Sequence, residues 1–109
     1  VRLRGDTAFV RLLLPNVRHT LDGLATLIDS TGLPGQTRWD YFNDWYTESP
    51  RGGLAPGSKE GHSATVALHY VYAMQNAARL HELFGLQTDA DRYRRQAETL
   101  QTRVRKRYL

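Results

Sequence analysis

The sequence contains no cysteine. That excludes disulfides, thiolate metal sites and cysteine nucleophiles, and it leaves the compartment undetermined. Long apolar runs are also missing. None reaches the ~18–20 residues that a membrane-spanning helix requires, so no membrane partner is expected. The opening VRLRGDTAFVRLLLP holds only a short apolar run with no small-residue cleavage pattern, and it is not read as a signal peptide. There is no initiator Met, and the chain is read as a piece of something longer. No long period-two alternation is present, which removes the case for extended strands. No GxSxG elbow occurs. The histidines are His19, His62, His69 and His81, and none forms HExxH or an i, i+4 pair. No metal site is therefore expected, and each His is read as a polar surface or core-edge residue.

What is present is the composition of one folded domain. The chain has 109 residues, 40% of them apolar and 24% charged, enough for one modest core. The net charge of +4 is unevenly placed. Residues 92–109 hold seven Arg or Lys against one Glu, leaving the remainder at −2. A basic end can serve nucleic acid. It also suits a helix C-terminus, where the backbone dipole favours cations. No aromatic platform or recognition motif accompanies the charge, so the helix end is the preferred reading and no nucleic-acid partner is expected.

Apolar spacing predicts three helices. Behind Asp6 as N-cap, Phe9, Val10, Leu13, Leu14, Val17, Leu21, Leu24 and Ile28 recur at steps of three and four. This predicts a helix over about 7–31, kinked or split by Pro15 and ended by Gly32. A second helix is expected over about 63–84. Ala64, Ala67, Leu68, Val71, Met74, Ala77, Ala78 and Leu83 mark its core, and Gly85 stops it. Its first half, ATVALHYVYAM, is apolar on nearly every side, which predicts burial on more than one face. A third helix is expected over about 89–107. Ala90, Tyr93, Ala97, Leu100, Val104 and Tyr108 form one narrow stripe among charged residues. The short turn between the last two predicts an antiparallel hairpin. The fold class is all-α. Three helices, one too apolar for a small bundle's surface, point to self-association or to a larger helical array.

Residues 33–61 carry no helical period and are punctuated by Pro34-Gly35, Pro50, Gly52-Gly53 and Pro56-Gly57. A loop of that length inside a compact domain is usually functional or disordered, and its aromatic content argues against disorder. Within it, Trp39 to Tyr46 reads WDYFNDWY, five aromatic residues of eight with two carboxylates. Pyranose C–H faces stack on Trp and Tyr, and carboxylates accept hydrogen bonds from sugar hydroxyls. Asp40, Asp44, Glu48 and Glu60 offer carboxyl groups of the kind that cleave glycosidic bonds in pairs. Alternatively, Trp39, Phe42 and Trp45 plug a core beneath the loop. GGLAPGSK, residues 52–59, is not a phosphate loop, because Lys follows Ser and no strand precedes it. His62 is the one His beside this loop and is a further site candidate.

WDYFNDW followed by GG-x-APG, then GHSATVALHYVYAMQNAARLHELFG, then DADRYRRQAETL, resembles the catalytic domain of bacterial α-L-rhamnosidases. These are inverting enzymes of glycoside hydrolase family 78, built as an (α/α)6 barrel of helical hairpins. The matching loop motif is an aromatic residue, a short variable stretch and Asp-Trp, here Phe42, Asn43, Asp44 and Trp45. The inner helix ends in the family's Leu-to-Gly punctuation at Leu80–Gly85. The outer helix carries D-A-x-x-Y-x-x-x-A at Asp89, Ala90, Tyr93 and Ala97, and GDTAFVRLLLPNVRHTLDGL fits the helix before the loop. The resemblance covers nearly the whole chain. It implies a parent enzyme that hydrolyses terminal α-L-rhamnosyl bonds without a cofactor. It implies that Asp44 accepts sugar hydroxyls, that Trp45 forms an apolar wall, and that Phe42 and Trp39 lie beside them as substrate-binding residues. The family's acidic upstream segment, with its general acid, has no counterpart over residues 1–33, and the general base comes beyond residue 109. The resemblance therefore implies an internal fragment of the barrel with no catalytic residue of its own. Two other readings stand beside it: a non-catalytic helical interaction module, and a six-hairpin glycosidase acting on another sugar.

Overall fold

The computed structural model describes residues 6–38 and 60–109. Among them the chain forms three helices: α1 (Thr7–Ala25), α2 (Ala64–Leu83) and α3 (Gln87–Tyr108). The only extended pairing among the described residues is an isolated antiparallel bridge between Ile28 and Pro34. The architecture is all-α.

The hairpin of α2 and α3 is the core of the molecule. On α2 the buried residues include Ala67, Val71, Met74, Ala78 and His81, at steps of four and three. On α3 they are Ala90, Tyr93, Ala97, Leu100 and Val104, at steps of three and four. Alternating small and large side chains on facing stripes lets two helices approach closely and interdigitate. The turn between them is set by the backbone. Gly85 adopts φ 72°, its N–H donates to the Glu82 carbonyl at 3.0 Å, and the Leu86 N–H donates to the His81 carbonyl at 2.9 Å. This is the Schellman arrangement, which a residue without a Cβ enters most cheaply. At the other end of α2, Ser63 is the N-cap, accepting from the Val66 N–H at 3.3 Å.

Several expectations need correction. The first helix stops at Ala25, although the apolar period runs on to Ile28. The N–H groups of Leu27 and Ile28 reach back three residues to Leu24 and Ala25, so the last turn tightens. Asp29 then offers the backbone a competing set of bonds through its side chain. Gly32, expected at the helix end, instead sits in the turn that follows, with φ 79°. Pro15 neither ends nor divides α1. It lies on the exposed side, where the Arg11 carbonyl it leaves unbonded can meet water. Asp6 occupies the N-cap position without a side-chain capping bond. On α2, Leu68 and Leu83 are exposed rather than buried, while Val66, Tyr70 and His81 join the core. Tyr108, placed in the buried stripe of α3, is partly exposed.

The packing of α1 is lighter. Leu14 and Leu21 are buried, and Leu21 joins a cluster with Ala77, Ala78 and Tyr93. Phe9, Leu12 and Leu13 are exposed, Leu12 by 76%. Leu68, Tyr72 and Leu83 of α2 are exposed as well, Tyr72 by 69%. No helix among the described residues is long and apolar enough to cross a membrane.

Candidate functional site

Trp39, Phe42, Asp44 and Trp45, the residues singled out for substrate binding, lie outside the described residues, as do Asp40 and Glu48. What the structure does describe is the base from which that segment departs and to which it returns.

The departing side is the turn after α1. The Asp29 N–H donates to the Leu33 carbonyl at 3.0 Å, and the Gly35 N–H donates to the Leu27 carbonyl at 2.9 Å. Inside this loop the Asp29 carboxylate accepts from Thr31 twice, from the N–H at 2.9 Å and from the hydroxyl at 2.5 Å. Leu33 and Pro34 then turn inward, and Leu33 packs on the α2–α3 core. The returning side is Gly61-His62-Ser63. Gly61 has φ 90°, and a Cβ there would stand 2.7 Å from the Gln36 backbone nitrogen, so the two sides touch backbone to backbone.

His62 joins them. Its N–H donates to the Pro34 carbonyl at 2.8 Å. Its Nε2 lies 2.6 Å from the Asp29 carboxylate. Its carbonyl accepts the Tyr108 hydroxyl at the end of α3. The Asp29 carboxyl is held down at about 2, first by the Thr31 hydroxyl, then by His62 and by the Thr31 N–H. Each of these favours the ionised form. Beside the pair lies an open cleft of about 570 Å³ whose lining includes Glu60, His62, Thr65, Arg107 and Tyr108.

A second polar cluster pins the helices together. His81 is fully buried, at 0% exposure, and not the core-edge residue that its isolated position suggests. Its Nδ1–H donates to the Ala77 carbonyl at 2.7 Å, and its Nε2 faces the Arg18 guanidinium at 3.4 Å. The tautomer follows from those partners. Next to it, Arg92 reaches Asp22 at 2.7 Å and Asp89 at 3.3 Å while lying over the Tyr93 ring. Arg92 lowers the Asp22 carboxyl, and burial raises the Tyr93 phenol. Spacing does hold a signal for His81, because it continues the Met74, Ala77 and Ala78 register. Asp29 carries none, since its partner is distant in sequence. His19 and His69 are exposed.

A groove of about 470 Å³ runs between α1 and α2, lined by Leu13, Val17, Ala73, Ala77 and Leu80 with Asn16 and Asn76 at its edge. Its walls are apolar, the surface of a helix seat more than of a sugar subsite. Among the described residues no group of three or more His, Asp or Glu side chains could hold a metal ion. The described base offers the Asp29 carboxylate with its His62 partner, and the Glu60 carboxylate in the adjoining cleft. Inverting glycoside hydrolysis requires two carboxyl groups ~6.5–9.5 Å apart across a sugar.

No curated protein and no solved structure matches the chain. The family model of the bacterial alpha-L-rhamnosidase 6 hairpin glycosidase domain matches residues 2–109. With its helical hairpin and all-α architecture, the chain belongs to the bacterial α-L-rhamnosidase six-hairpin glycosidase domain family.

Proposed function

We propose that this chain is part of the catalytic domain of an inverting glycosidase that removes terminal α-L-rhamnosyl groups. The match of the family model over residues 2–109 carries the reading. The aromatic and acidic segment WDYFNDWY supports it, since rings beside carboxylates suit a pyranose. In this reading Asp44 accepts hydroxyl hydrogen bonds of the sugar, and Trp45, Phe42 and Trp39 give it an apolar wall. The general acid protonates the leaving oxygen and the general base activates water on the opposite face. Both belong to other hairpins of the parent. One hairpin and one further helix are described, where the family's name counts six hairpins. The exposed apolar residues of α1 and α2 then belong to the surfaces on which other hairpins pack. In isolation they favour self-association.

The test is a panel of p-nitrophenyl glycosides given to the parent protein, with the first-formed anomer followed by NMR. Hydrolysis of the α-L-rhamnoside with release of the β-anomer is expected. Turnover of a different sugar would assign the domain to another six-hairpin activity. The Asp44→Asn variant should lose roughly 100-fold or more in rate, the scale set by removing a hydrogen-bond partner used in the transition state. Its melting temperature should hold. A large stability loss with unchanged kinetics would make Asp44 structural.

A further inference from the structure

We infer that the cleft between the start of α2 and the end of α3 binds one neutral pyranose unit, held by Arg107, Thr65 and Glu60 against the ring of Tyr108, with His62 in its wall. That this unit belongs to a substrate rests on the glycosidase reading; the affinity of the cleft for a sugar does not.

The walls are fixed before any ligand arrives. His62 has φ 62°, the one non-glycine residue in the left-handed region among those described. A residue with a Cβ stays there only where its surroundings over-determine it, and such residues gather at ligand clamps. The Pro34 carbonyl accepts the His62 N–H, the Asp29 carboxylate bonds its ring, and its own carbonyl accepts the Tyr108 hydroxyl. Neither neighbouring element needs these bonds for its own closure. Ser63 already caps α2. The turn after α1 is closed by the Asp29–Leu33 and Leu27–Gly35 bonds. What the ties do hold is two walls of the cleft. Asp29, itself held by Thr31, orients the imidazole through Nε2 and leaves Nδ1 to a ligand. The Tyr108 ring is anchored at its hydroxyl. Side chains locked by bonds from behind are what a binding site requires.

The contents of the cleft set the class of ligand. Its volume of about 570 Å³ lies within the ~300–1,000 Å³ of small-molecule sites. Ala64 and Tyr108 give it apolar surface, and Tyr108 is 39% exposed. The Arg107 guanidinium lies 5.8 Å from the centre of the Tyr108 ring. Among the described residues no carboxylate pairs with Arg107, whereas Arg92 and Arg94 on the same helix each bridge two. A guanidinium only donates, an ionised carboxylate only accepts, and the Thr65 hydroxyl does both. Sugar hydroxyls also do both, and the C–H face of a pyranose stacks on an aromatic ring. Glu60 in the lining disfavours an anion, and among the described residues no cluster could hold a metal ion. A neutral pyranose satisfies the whole set.

The test titrates the chain with methyl α-L-rhamnopyranoside, methyl β-D-glucopyranoside and sodium glucuronate, followed by proton–nitrogen correlation NMR. The amides of His62, Thr65, Arg107 and Tyr108 should shift together and saturably with at least one neutral glycoside. Arg107→Gln and Tyr108→Ala should each weaken that binding roughly 10-fold. Both residues are exposed, so the melting temperature should hold. Should either variant lose its circular dichroism, Thr65→Val decides, since it keeps the side-chain shape and removes the hydroxyl; unchanged affinity would overturn the site. So would the absence of saturable shifts at these amides, or binding that neither variant weakens. Tighter binding of glucuronate than of either neutral glycoside would overturn the ligand class. If the parent protein cleaves no rhamnoside while these amides still respond, the cleft stands and the rhamnosidase reading falls. Cleavage of the rhamnoside with silent amides overturns the cleft alone.

Discussion

α2 meets its two neighbours in different ways. Against α3 it loses a continuous apolar stripe, with Ala67, Met74 and Ala78 among the buried residues on one side and Tyr93, Ala97 and Leu100 on the other. Against α1 it keeps a groove of about 470 Å³ open. There the joint combines one small apolar cluster, Leu21 with Ala77, Ala78 and Tyr93, with polar contacts: Arg18 to His81 between α1 and α2, and Asp22 to Arg92 between α1 and α3. The hairpin is a finished packing unit. α1 is placed in register by directional contacts while much of its apolar surface stays uncovered. Burial supplies most of the stability of a helix pair, whereas polar contacts chiefly fix geometry. The two joints should therefore respond very differently to substitution.

The largest effect is expected in the hairpin. Leu100→Ala removes a nearly fully buried side chain from the seam, and such truncations cost ~2–5 kcal/mol, the spread reflecting how far the cavity collapses. Leu12→Ala on the exposed face of α1 should change stability by less than about 0.5 kcal/mol. Urea unfolding of both variants measures the contrast. Equal losses would mean that α1 is as tightly packed as the hairpin and that the comparison fails.

The hairpin was legible in the sequence for the same reason that it is stable. Ala90, Tyr93, Ala97, Leu100 and Val104 stand alone as apolar residues among Arg, Gln and Glu, so the period is unambiguous. α2 was harder. Leu68 and Leu83 are as apolar as Met74, and nothing local distinguishes the face that meets α3 from the face that does not. The apolar period overshoots the end of α1 because Ile28 keeps the helical step, whereas the Asp29–Thr31 bonds that compete with the helix depend on side-chain geometry. At the base of the loop, His62 was visible by its position. Its partners Asp29 and Tyr108 were not, because contacts across 33 and 46 residues leave no mark in a single sequence. For Trp39, Phe42, Asp44 and Trp45 the sequence reading stands alone.

A smaller effect should follow at the polar joint. His81→Ala removes the imidazole that faces Arg18 and bonds the Ala77 carbonyl. Losing a buried hydrogen-bonding group costs ~1–3 kcal/mol. Arg18→Met, which keeps the apolar stem, should cost less. If the contact carries the joint, the double variant should be less destabilised than the two single losses added together. Strict additivity in a double-mutant cycle would show that Arg18 and His81 act independently and that α1 is held by Leu14 and Leu21 alone.

The smallest effect belongs to Asp29, and its signature is dependence on pH. The carboxyl titrates at about 2 in the folded chain against 3.8 when free. A depressed folded value means that the unfolded chain binds the proton more tightly. The contribution of Asp29 is thus fully present above pH 3.8 and declines as the pH falls toward 2. Asp29→Asn has no such proton to bind. Its stability deficit relative to wild type should be constant above pH 3.8 and should shrink through that acid window. The side chain is open to solvent, so salt should reduce the His62 share of the difference while leaving the Thr31 bonds in place. A deficit that does not change between pH 5 and pH 2, tracked by circular dichroism in urea, would mean that the native carboxylate gains nothing from its partners. The polar base of the loop would then owe its shape to Leu33 and Pro34, the buried residues beside it.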